Sequence, residues 1–148
     1  MTMSKAPISD LEELIRSTGF YKNKAKNIKA TAKILQDKFK GAVPPIMEEL
    51  IQLPGVGRKT ANVVLGNAFN INEGIVVDTH VKRISNLLKF TKSSDPEKIE
   101  QDLIKIFPKN QWTQLSHLFI FLGRRICVAR NPKCENCMLS DICPSSKI

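Results

Sequence analysis

The chain has no apolar run approaching the roughly 20 residues that a membrane-spanning helix needs, and its opening stretch, "MTMSKAPISD", lacks the apolar core of a secretory signal. With no candidate spanning helix and no secretory signal, the expectation is a cytoplasmic, intracellular protein with no membrane partner. There is no repeat at solenoid period and no low-complexity tract, so an array or a disordered tail is excluded as well. Acids are scarce: 14 Asp plus Glu stand against 23 Lys plus Arg, leaving +9. That excess favours a polyanionic partner, although a well-solvated basic protein has the same composition. No cysteine precedes Cys127.

What is present suits a globule. Apolar residues make up 42% and charged residues 25% of 148 residues, enough for one good core or two small ones sharing an interface. Helical periodicity dominates, which predicts an all-α class. Ser9 or Asp10 is positioned to cap a helix running to about Ser17. After "TGFYKN" a second helix places Ala25, Ile28, Ala32, Leu35 and Phe39 on one face, with Lys22, Lys24, Lys26, Lys29 and Lys33 solvated on the other. "GAVPP" breaks the pattern and "IMEELIQ" makes a short third helix. "NINEGIVVD" reads as a linker ending in a β-branched run too brief to establish a sheet. Further helices are expected over Thr79–Leu88, Pro96–Phe107 and Gln111 to about Ala129, the last burying Leu115, Leu118, Phe119, Leu122 and Ile126. A boundary between two helical halves is expected at the linker, giving 1–72 and 73–148.

"LPGVGRKTANVVL", Leu53 to Leu65, joins the third helix to a fourth through a glycine-bearing turn. Gly55 and Gly57 flank Val56, allow positive φ and leave no Cβ to obstruct a ligand. The N–H groups of this turn, and of the helix starting near Arg58, form a ready anion site. The alternative is an ordinary helix–helix turn with a glycine cap. Lys59 sits in the first turn of that helix, where the dipole disfavours a cation. A nucleophilic lysine needs such surroundings, because at an ordinary lysine pKa only roughly one amine in 2,500 is neutral at pH 7. The plainer roles are exposure to solvent or contact with a phosphate.

Cys127, Cys134, Cys137 and Cys143 have the spacing C-x6-C-x2-C-x5-C. Disulfides do not suit a chain without a secretion signal, so one metal centre is expected; spacing leaves zinc and a [4Fe–4S] cluster both open.

"LPGVGRKTANVVL", then "VVDTHVKRISN", then "FLGRRICVARNPKCENCMLSDIC" together resemble the endonuclease III family of helix-hairpin-helix DNA glycosylases, from about Ile8 to Cys143. The resemblance implies a partial helical barrel followed by a [4Fe–4S] cluster domain. It further implies a bifunctional DNA N-glycosylase and abasic-site lyase acting on oxidised or saturated pyrimidines in double-stranded DNA. Lys59 would be the nucleophile and Asp78 its carboxylate partner, with the four cysteines holding the cluster. Gly55, Val56, Gly57 and Arg58 would grip DNA backbone, as would Arg130 and Lys133 in the loop "VARNPK". Asp78 also suits a helix N-cap. His80 is a weaker candidate for phosphate contact, and His117 is read as structural. Two other functions compete: a mismatch-specific glycosylase of the same superfamily, against which Lys59 argues, and a noncatalytic DNA-binding iron–sulfur module. Family members place further helices ahead of the segment matching Ile8. The expectation is therefore a truncated or mis-started chain, weak on its own, with the apolar faces of Leu11, Leu14 and Ile15 uncovered, and monomeric when full length.

Overall fold

The computed structural model describes residues 3–148. Apolar residues recurring every three or four positions become α1 (Ile8–Leu14), α2 (Tyr21–Phe39), α3 (Met47–Leu50), α4 (Arg58–Ala68), α5 (Thr79–Leu87), α6 (Pro96–Ile106) and α7 (Trp112–Arg125). Single 3-10 turns occur at Lys109–Gln111 and Cys134–Asn136. No strand occurs among the described residues, and the class is all-α. The chain divides into two compact units, one ending at Ala61 and one spanning Asn62–Ile148. The division falls inside α4, ahead of the linker singled out by its composition.

In the first unit α1 packs on α2. Helix α1 begins earlier and ends sooner than Ser9 or Asp10 and Ser17 suggested: Pro7 holds the N-cap position, and the Ser9 hydroxyl donates to Asp10 at 3.0 Å instead of capping. Proline's fixed φ suits a helix start without a side-chain cap. Leu11 is buried, contrary to the expectation that it stands uncovered, because it faces α2; Leu14 is 79% exposed and Ile15 half-buried. Helix α2 buries Ala25 completely. It stops where Lys40 and Gly41 both turn left-handed, the Gly41 N–H closing onto the Leu35 carbonyl at 2.9 Å.

The second unit is built on one cluster: Ile75, Val77, Val81, Ile84, Ile99, Leu103, Leu115 and Phe119. The β-branched run Ile75–Val77 is buried outside any helix, and its Val76 N–H donates to the Ser116 hydroxyl of α7 at 3.0 Å, so the missing ladder partner is a side chain. Asp95 caps α6 through the Lys98 N–H, with Pro96 in the first turn. Helix α7 ends at Arg125, short of Ala129, because the Ile126 and Cys127 N–H groups both close onto the Leu122 carbonyl. Of its expected stripe Leu115 and Phe119 are buried, Leu122 and Ile126 half-buried, and Leu118 is 56% exposed. Leu118 lies at the edge of the arc that the other four share at 3.6 residues per turn.

Candidate functional site

The hairpin between α3 and α4 is fixed from beneath by α2. The Thr31 hydroxyl donates to the Pro54 carbonyl at 3.1 Å, and the Val56 N–H closes the turn onto Leu53 at 3.0 Å. Gly55 has φ +77°, and a Cβ there would lie 2.6 Å from the Asn27 amide nitrogen, so both its conformation and its neighbour demand glycine. Gly57 is not left-handed, and a Cβ on it would meet nothing. Its role is to keep the approach open. The Gly57 carbonyl accepts the Ala61 N–H at 3.0 Å, which makes it the entry to α4. Arg58 and Lys59 follow, both exposed, in the turn whose N–H groups have no partner within the helix. Gly55, Val56, Gly57, Arg58 and Lys59 are thus brought together on one surface of the first unit.

Asp78 opens α5 in the second unit. Its Oδ1 accepts the N–H groups of His80 and Val81, both at 2.8 Å. Among the described residues its Oδ2 has no hydrogen-bond partner. One oxygen therefore holds the helix and the other is unengaged. The His80 ring is half-buried beside Gly123 and Arg83 instead of projecting into solvent; Arg83 Nη2 lies 3.5 Å from its Nδ1. His117 pairs with the Asn67 side-chain oxygen at 2.8 Å, a tie between α7 and α4 that fits a structural residue.

Arg83 carries a function that sequence reasoning missed. Its Nη2 donates to the carbonyls of Gly123 at 2.9 Å and Cys127 at 2.6 Å, so α5 grips the C-terminal end of α7 where the cysteine segment begins. A cation at a helix C-terminus also meets the negative end of its dipole. The available signal was Gly123, a mid-helix glycine marking close approach: a Cβ there would stand 2.9 Å from His80 and 3.1 Å from Arg83.

Cys127, Cys134, Cys137 and Cys143 line one cavity of about 80 Å³, with Leu87, Ile126 and Pro132 among its walls. Burial pushes the Cys127 thiol above its ordinary value, the Arg83 guanidinium opposes that, and the thiols of Cys137, Cys143 and Cys134 add to the rise. Cys127 is thus within electrostatic reach of the other three thiols. Yet among the described residues no three His, Cys, Asp or Glu side chains are close enough to grip a single ion. A zinc ion needs four donors about 2.3 Å from one point. An iron–sulfur cluster takes its thiolates at the corners of a larger body. Between Cys127 and Cys134 the loop turns left-handed at Asn131 and presents Arg130 and Lys133 to solvent.

A glycine hairpin entering a helix, a capping carboxylate at the start of another and a cavity lined by four thiols are carried by an all-helical protein. The chain belongs to the HhH-GPD superfamily of base excision DNA repair proteins, whose model matches residues 1–109. Residues 127–143 match the iron–sulfur binding domain of endonuclease III, which makes the chain a [4Fe–4S] protein. The chain is similar to endonuclease III of Synechocystis sp., at 52% identity over 138 residues, 93% of this chain and 63% of that protein. It therefore spans just under two thirds of that relative's length. Among solved structures it is similar to a non-covalent endonuclease III–DNA complex and to a trapped endonuclease III–DNA covalent intermediate. Each has TM-score 0.88 and 45% identity and covers 97% of this chain and 67% of that one.

Proposed function

We propose that this chain is a DNA N-glycosylase and abasic-site lyase that removes oxidised or saturated pyrimidines from duplex DNA inside the cell, acting as a monomer. The observation that carries the reading is Lys59, exposed in the first turn of α4 directly behind the hairpin. The membership of the repair superfamily and the relatives solved on DNA support it.

A neutral Lys59 Nζ donates its electron pair to C1′ of an extruded nucleotide as the C1′–N bond to the damaged base breaks, and the base leaves with that pair and gains a proton. Opening of the sugar ring at the C1′–O4′ bond converts the adduct to a Schiff base. Loss of a C2′ proton then expels the 3′ phosphate by β-elimination. Asp78 contributes its charge, which stabilises the positive charge that develops on the sugar, or accepts a proton at Oδ2, while Oδ1 stays committed to the helix. Gly57 and the first-turn N–H groups of α4 receive backbone phosphate, and Arg130 and Lys133 receive another stretch of it. When bound, the cluster supplies a rigid link among four thiolates that holds the Arg130–Lys133 loop in place.

Duplexes bearing thymine glycol, an abasic site or no lesion separate the readings. The wild-type protein should incise the first two and spare the third, and Lys59→Ala should lose incision on the order of 10³-fold or more. Base release without strand incision would favour a mismatch-type glycosylase. Folded, iron-loaded protein that binds all three duplexes and incises none would be a noncatalytic module, and the proposal would be wrong.

A further inference from the structure

Residues 79–94 contain Lys82, Arg83, Lys89 and Lys92 and no Asp or Glu. This acid-free run lies in neither the hairpin nor the cysteine loop. Lys82, Arg83 and Lys92 border an open groove of about 580 Å³ along α5, whose lining also includes Thr79, Asn86, Ser93 and Ser94. Arg83 is committed elsewhere, to the Gly123 and Cys127 carbonyls. Lys82 and Lys92 differ: among the described residues neither has a carboxylate within ion-pair distance. The hydroxyls of Thr79 and Ser94 likewise donate to no group within the described residues.

The groove is prearranged. The Asn86 amide nitrogen donates to the Lys82 carbonyl and to the Ser93 carbonyl, each at 3.0 Å, tying the 91–95 loop to α5. Thr91 accepts the Ser93 N–H at 3.0 Å and donates to Asp102 at 2.7 Å, and Ser93 accepts the Asp95 N–H at 3.0 Å. What remains directed outward is two ammonium groups and two hydroxyls, donors without acceptors. That chemistry does not suit a metal ion, which would need carboxylates, imidazoles or thiolates. It does not suit a stacked base, because no aromatic ring lines the groove. It matches phosphate oxygens, which lysines, serines and threonines hold without reading sequence.

We propose that this groove is a third phosphate-binding surface, additional to the hairpin and the cysteine loop, which takes up the backbone of duplex DNA. It begins at Thr79, the residue after Asp78, so it carries the duplex away from the capping carboxylate along α5. The inference rests on the DNA-repair reading and extends it.

The test is the salt dependence of binding to lesion-free duplex, followed by fluorescence anisotropy on the iron-loaded protein. Each phosphate neutralised adds about 0.9 to the magnitude of the slope of log Kd against log salt. The pair Lys82→Ala with Lys92→Ala should make the slope shallower by about 1.8 and raise Kd roughly tenfold at low salt. Lys82→Arg with Lys92→Arg should keep the wild-type slope. Lys98→Ala with Lys105→Ala, an equal charge change on the exposed face of α6, should leave the slope within error of the wild type, and circular-dichroism melts should show every variant folded. An unchanged slope in the alanine pair, or an equal loss in the α6 pair, would overturn the groove while leaving DNA binding intact. A wild-type protein with no salt-dependent affinity for duplex would overturn the repair reading itself, and the groove with it.

Discussion

At Gly55 two demands coincide: a left-handed backbone, and an Asn27 side chain where any Cβ would lie. Gly55→Ala should therefore cost about 1–3 kcal/mol, read as a lower melting temperature with weakened affinity for duplex DNA. Asp78 separates differently, because Asn is as good an N-cap as Asp while lacking the charge. Asp78→Asn should melt like the wild type and lose most of its incision activity. Asp78→Ala should lose both, with about 1 kcal/mol of stability gone with the cap. Equal activity in Asp78→Asn and wild type would confine Asp78 to a capping role. The glycine requirement and the cap were legible in "LPGVGRK" and "VDTH", since both are local devices. Asn27 was not, because a contact between residues far apart in sequence leaves no local trace.

The helices themselves were legible where periodicity was strong, as along α2 and α6. Boundaries were not, since tertiary closure decides them: the Leu122 carbonyl ends α7 before Ala129, and Pro7 starts α1 before Ser9. Nothing in "VKRIS" distinguishes Lys82, on the groove, from Arg83, turned in against α7, until the helix is placed. Arg83 joins those two helices and compensates charge at Cys127. Arg83→Gln should leave two carbonyls poorly satisfied, at about 1–3 kcal/mol. It should also release iron to a chelator roughly tenfold faster than the wild type, as loss of a group orienting a metal ligand does. Equal iron-release rates would limit Arg83 to packing.

For the molecule as a whole, the proposed function divides labour between anchoring and reaction. Spacing alone left zinc and cluster unresolved; the match of residues 127–143 to an iron–sulfur binding domain resolves them. Cys137→Ser should purify without the brown colour and iron of the wild type, and its cysteine loop should become more susceptible to protease than the hairpin. The expectation that α1 stands wholly uncovered was half legible: Leu14 is exposed as its face implied, whereas Leu11 finds α2. The central claim is that Lys59 forms the covalent bond to DNA. Its most direct measurement is reduction with borohydride during incubation with abasic-site duplex, followed by peptide mass spectrometry of the adduct. The account predicts a trapped complex with deoxyribose on Lys59, absent in Lys59→Ala. An adduct of undiminished yield in that variant, or one mapped to another amine, would contradict it.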